Sequence, residues 1–150
     1  MKQPKQPKIL EHTHQVKVIL WADLMAKRIY PMLRWLYAVP NGGNRHIITA
    51  RKLKAEGVKP GVPDLCLPYP KRGRITMDAS GEDCLDSIYG DPFYFCCGLY
   101  IEMKTRTPMG KISDDQKEWI DYLKGVGYKV AVCWTADEAI QAIEEYLNES

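Results

Sequence analysis

A chain of 150 residues, 45% hydrophobic and 27% charged, has the balance of an ordinary globular protein and the length of one domain. A chain this long buries ~70% of its unfolded surface, so it needs no disulfide or metal staple to fold. Its apolar runs fall far short of the ~18 residues of a membrane span, and its basic N-terminus lacks the apolar stretch of a secretory signal.

The net charge of +2 conceals an uneven distribution. Residues 1–60 carry twelve Lys and Arg against three acids, whereas residues 61–150 carry nine against sixteen. This split suits a basic surface for a polyanion beside an acidic cluster that holds cations, although a solvated basic arm and helix would give the same count. Cys66, Cys84, Cys96, Cys97 and Cys133 are odd in number and show no CxxC spacing. They read as reduced thiols of a cytoplasmic protein rather than as a zinc site.

Residues 1–10 begin with a basic, proline-punctuated run and form an expected flexible arm, leaving 11–150 as the folded domain. From Glu11 to Ile29 the residues Val18, Trp21, Met25 and Ile29 recur at helical spacing. Pro31 either disturbs that helix or begins another short turn. Leu36 to Val39 reads as a strand, stopped by Pro40-Asn-Gly-Gly43. Residues 44–56 form an expected basic helix with Gly57 as its C-cap. Leu65-Cys-Leu67 follows the turn Pro60-Gly-Val-Pro-Asp64 as a second strand. Residues 70–97 lack a clear period and read as an insertion, with room for a hairpin or short helix. Leu99 to Lys104 is the clearest strand. It is followed by a helix from Ser113 to Val126, a buried strand from Tyr128 to Trp134, and a helix from Thr135 to Leu147 opened by the capping box Thr135–Glu138. This order predicts an α/β or α+β mixed sheet flanked by helices.

The alternation of a strand places Leu99, Ile101 and Met103 on one face and Tyr100, Glu102 and Lys104 on the other. Glu102 and Lys104 alone read as a solvent-facing ion pair. Asp64 alters that reading, since it opens a strand after a proline turn and can converge with Glu102. Two carboxylates and a backbone carbonyl suit Mg²⁺, a hard cation that takes oxygen ligands. A lysine alongside supplies a compact positive charge for a water or a phosphate.

Four stretches carry a resemblance: Ala38-Val-Pro-Asn-Gly-Gly43; Leu53-Lys-Ala-Glu-Gly-Val-Lys-Pro-Gly-Val-Pro-Asp64; Leu99-Tyr-Ile-Glu-Met-Lys104; and Asp115-Gln-Lys-Glu-Trp119. Pro63-Asp64 with Glu102-Met-Lys104 resembles the PD-(D/E)xK nuclease signature, and the surrounding text is similar to the virus-type replication-repair nuclease (VRR-NUC) domain over roughly 11–69 and 98–147. The resemblance implies a restriction-endonuclease-like core, a Mg²⁺ or Mn²⁺ ion, and hydrolysis of phosphodiester bonds in branched (Holliday junction or flap) or double-stranded DNA, by a homodimer of phage or prophage type acting in replication, recombination or repair. It implies Asp64, Glu102 and the Met103 carbonyl as metal ligands, with Lys104 as the water-positioning or charge-stabilising residue. Gln116 matches the family's glutamine on the helix after the Glu-x-Lys strand, while Ser113-Asp-Asp-Gln116 is also a capping box. Where the family carries a glutamate before a Gln-Val pair, this sequence has His14, and Glu11 lies one turn earlier as a possible substitute. The 70–97 segment is longer than the family's usual link.

Asn41, Gly42 and Gly43 permit close backbone approach to a phosphate, or form a plain turn. Arg45, Arg51, Lys52 and Lys54 are expected along the DNA backbone, where contacts position a duplex without reading its sequence. A non-catalytic DNA-binding module on the same fold and a sequence-specific restriction-type endonuclease are the alternative readings.

Overall fold

A computed structural model describes residues 11–40, 47–73, 93–105 and 110–148. Four helices and six strands lie in these segments: α1 (Glu11–Ala26), β1 (Tyr37–Ala38), α2 (Ile47–Ala55), β2 (Leu65–Leu67), β3 (Lys71–Gly73), β4 (Phe93–Cys96), β5 (Gly98–Met103), α3 (Asp114–Gly125), β6 (Tyr128–Cys133) and α4 (Ala136–Asn148). The main sheet has the order β1-β2-β5-β6, with β5 antiparallel to β2 and parallel to β6. The parallel pair requires a crossover, and α3 supplies it. The expected mixed sheet flanked by helices is therefore the observed architecture.

Register explains the core. Leu65 pairs with Ile101, and Leu67 with Leu99. All four side chains, together with Met103, are fully buried on one face of the sheet. Val18 and Ala22 of α1 and Ala136, Ala139, Ile143 and Tyr146 of α4 close over that face. The opposite face carries Glu102, and α3 packs beside it along β6.

Local differences from the sequence reading have physical causes. The first helix stops at Ala26, and the N–H groups of Ile29 and Tyr30 both bond the Met25 carbonyl. Ile29 is consequently 62% exposed rather than on the buried stripe, and Pro31 opens a separate 3-10 turn, Pro31–Trp35. The strand Tyr128–Cys133 pairs with β5 alone among the described residues, so it is a half-buried edge rather than a buried strand. At α4 the Thr135 hydroxyl accepts the Glu138 N–H, but the Glu138 carboxylate accepts from Trp134 N–H, one residue before the expected partner. Gly57 follows α2 with a φ of 93°, the left-handed conformation of a C-cap glycine. Of the 70–97 segment, β3 and β4 pair antiparallel, and 74–92 lie outside the described residues. The arm 1–10 lies outside them too.

Candidate active site

The central carboxylate comes from β5. Glu102 is 1% exposed and Lys104 is 8% exposed, so this is not a surface ion pair. Although strand geometry sets their backbones apart, the side chains bend together, and Lys104 Nζ lies 2.8 Å from Glu102 Oε1. The Gln116 side-chain amide donates to the same Oε1, and its own oxygen accepts from Lys104 Nζ at 2.8 Å. The amide thus bridges acid and lysine. Its oxygen also accepts the Ser113 N–H at 2.9 Å, while Ser113 Oγ accepts the Gln116 N–H at 3.3 Å. Capping and bridging therefore coexist in one residue, with the cap fixing the rotamer that reaches Glu102.

Asp64 approaches from β2, just beyond the Leu65–Ile101 pair. Its Oδ2 accepts the Met103 N–H at 2.7 Å, and its backbone carbonyl accepts the Val39 N–H at 2.8 Å. In a strand the N–H and C=O of one residue leave on the same edge, so the Met103 carbonyl also lies on the Asp64 side. Glu11, the first residue of α1, adds a third carboxylate. One oxygen from each of Glu11, Asp64 and Glu102 lies within 4.8 Å of the others.

Three carboxylates at this spacing repel one another. Burial and the neighbouring Asp64 push the Glu102 carboxyl up to about 7, against the opposing pull of Lys104. Burial and Asp64 also raise Glu11. Glu102 Oε2 is buried without a hydrogen-bond partner among the described residues. A buried acceptor without a donor is costly, and a cation at that oxygen would remove the cost. The donors are all hard oxygens, which fits Mg²⁺ or Mn²⁺ and does not suit a soft-metal centre.

His14 stands apart from this cluster. Its Nδ1 accepts the Ala136 N–H at 3.1 Å, tying α1 to the start of α4, and the third carboxylate at the cluster is Glu11. The glutamate missing before the Gln-Val pair is thus matched in space by an acid one turn earlier. Arg51, Lys52 and Lys54 are exposed on α2, with Lys52 3.8 Å from Glu56. Asn41, Gly42, Gly43 and Arg45 lie outside the described residues. The sequence placed Trp119 on the inward face of its helix with Ile120 and Leu123, and gave Gly61 no role beyond the turn. In the structure Trp119 is half-buried and its Nε1 donates to the Pro60 carbonyl; a glycine before Val-Pro-Asp was the signal available.

A mixed sheet with helices around it, presenting clustered carboxylates, a buried lysine and a bridging glutamine at one strand end, defines a nuclease-type fold. The VRR-NUC domain model matches residues 9–137, and the chain belongs to that family, a class of nuclease-type DNA-processing domains. A solved structure described as a VRR_NUC domain protein is 25% identical, with a TM-score of 0.63 over 93% of this chain and 89% of its own. No curated protein matches.

Proposed function

We propose that this chain is a Mg²⁺- or Mn²⁺-dependent DNA endonuclease selective for branched DNA, such as a four-way junction or flap. The observation that carries the reading is the Glu11–Asp64–Glu102 cluster, with the Glu102 oxygen buried and without a hydrogen-bond donor among the described residues. Glu11, Asp64, Glu102 and the Met103 carbonyl would hold the cation. When bound, it would supply charge neutralisation at the phosphate and acidify a water.

The chain's own groups provide the remainder. Lys104 is held by Glu102 and Gln116, so its ammonium enters the reaction already oriented. It stabilises negative charge on the phosphate or fixes the attacking water. Gln116 keeps Glu102 Oε1 occupied, which leaves Oε2 as the ligating atom. Exposed Arg51, Lys52 and Lys54 grip the backbone without reading bases, which supports structure selectivity over sequence selectivity. Homodimeric assembly, placing two such sites on one junction, and action on phage DNA in the bacterial cytoplasm complete the proposal.

The test is incubation of the protein with a labelled four-way junction and Mg²⁺, beside Glu102→Ala and Lys104→Ala. The proposal expects wild-type cleavage near the branch, abolished by chelator and by either substitution. DNA binding without cleavage would favour a non-catalytic module, and cuts at one short sequence a restriction-type enzyme. Full activity in both variants would sink the site assignment.

A further inference from the structure

The loop that delivers Asp64 is fastened to the helix that delivers Gln116. Trp119 Nε1 donates to the Pro60 carbonyl at 3.0 Å, across 59 positions of sequence. Next to it, Gly61 has a φ of 83°, and a Cβ there would fall 2.6, 2.7 and 2.8 Å from the C, O and Cβ atoms of Asp115. Side chains do not approach backbone that closely, so only glycine lets this loop meet the first turn of α3. The two contacts flank Gln116: Asp115 directly precedes it, and Trp119 follows one helical turn later. On the loop side, the path from Gly61 to Asp64 passes through buried Pro63, whose ring fixes φ and leaves little slack.

Asp64 and Gln116 brace β5 from two directions. Asp64 holds the Met103 N–H, and Gln116 holds Glu102 and Lys104. The Ser113 cap sets how the Gln116 amide points within its helix, but it does not set where that helix stands relative to Asp64. Packing along β6 with Ile120 and Leu123 buried sets the helix on the sheet, and the contact with Pro60 and Gly61 ties it to the Asp64 loop.

We propose that Trp119 and Gly61 are positioning residues that clamp α3 to the Asp64 loop and so fix the shape of the cation site. This rests on reading the Glu11–Asp64–Glu102 cluster as the cation site of a nuclease. Neither residue touches the cation; each acts through Asp64 and Gln116. The Trp119 ring borders a cavity of about 400 Å³ lined also by Lys59, Pro60 and Tyr122, outside the main core. A ring change there leaves the α1–sheet–α4 packing intact.

The experiment uses the full chain as wild type, Trp119→Phe and Gly61→Ala. Three quantities are measured: Mn²⁺ affinity by titration, thermal midpoint, and the Gln116 side-chain amide signals in a ¹⁵N–¹H spectrum of metal-free protein. Trp119→Phe keeps a ring and loses the donor. The clamp predicts shifted Gln116 signals and a ~10–100-fold loss of Mn²⁺ affinity, the usual effect of disturbing groups behind metal ligands, with the midpoint near wild type. With DNA, kcat at saturating Mn²⁺ falls while KM stays close to wild type. Gly61→Ala moves all readouts further in the same direction; if it does not fold, Trp119→Phe alone decides. Wild-type Gln116 signals and Mn²⁺ affinity in Trp119→Phe overturn the clamp, whatever happens to the midpoint. A wild-type protein that binds no Mn²⁺ or cuts no DNA would instead refute the proposed function, and the metal-free spectrum would still decide the clamp.

Discussion

Glu102 concentrates the chemistry of this site because three influences on its charge compete. Burial and Asp64 raise its carboxyl to about 7, and Lys104 pulls the other way. A folded-state value above the unfolded one means that the folded protein binds more protons between roughly pH 4.5 and 7, so stability falls as pH rises through that window. The raised Glu11 acts with the same sign. Thermal melts of metal-free protein at pH 5, 6, 7 and 8 should therefore show a falling midpoint, recovered by Mg²⁺ at pH 7 and above. Glu102→Gln, which removes the charge, should flatten the profile; an unchanged slope would show that the carboxyl is not strained. Lys104→Ala should lower kcat by ~10²–10³-fold, the scale of losing one oriented stabiliser of developing charge. A steady-state assay at saturating Mg²⁺ checks this, and a change confined to KM would reassign Lys104 to substrate binding.

At the scale of elements, β5 serves two purposes through its alternation. Leu99, Ile101 and Met103 anchor it in the core, and Glu102 on the other face inherits that rigidity. Ile101→Ala should cost ~2–5 kcal/mol in denaturant unfolding, the range for truncating a buried aliphatic side chain. Helix α3 likewise combines a structural and a functional task in Gln116. Ser113→Ala should cost ~1 kcal/mol through the lost Oγ acceptor. It should reduce cleavage only through fraying of the first turn, because the backbone N–H that holds the bridging amide remains. An activity loss no greater than the unfolded fraction would separate the two tasks. The period-two pattern of β5 and the Ser-x-x-Gln spacing were readable in sequence because both are local. That Lys104 bonds Glu102 and Gln116 together was not, since it depends on how α3 returns along β6 over the sheet. The same holds for His14: its residue type suggested a ligand, but the fold gives its Nδ1 to the Ala136 N–H. Ile29 fits a helical period that the chain abandons after Ala26, because Pro31 requires a new turn.

At the scale of the whole molecule, the carboxylate cluster cuts across the division of charge along the chain, since Glu11 lies in the basic first 60 residues. The acids that matter, Glu11, Asp64 and Glu102, come from three separate elements and gather at one strand end. Strand placement in the sequence already let Asp64 converge with Glu102, whereas Glu11 entered only as a substitute for a missing glutamate. Their convergence follows from the antiparallel β2–β5 register and from where α1 begins. If Arg51, Lys52 and Lys54 contact phosphates, neutralising them together should weaken DNA binding uniformly across sequences. The log–log salt slope should fall by about 0.9 per residue removed, as released counterions require. Binding titrations between low and physiological salt check this, and an unchanged slope would place the DNA on another surface. None of the helices among the described residues is long and apolar enough to cross a membrane.

The central claim is that Glu11, Asp64 and Glu102 form a divalent-cation site. Anomalous diffraction from crystals soaked in Mn²⁺ tests it most directly. The account predicts a peak bounded by the three carboxylates, touching Glu102 Oε2 and clear of His14. No peak at that position in a soaked crystal, or one centred on His14 instead, would contradict it.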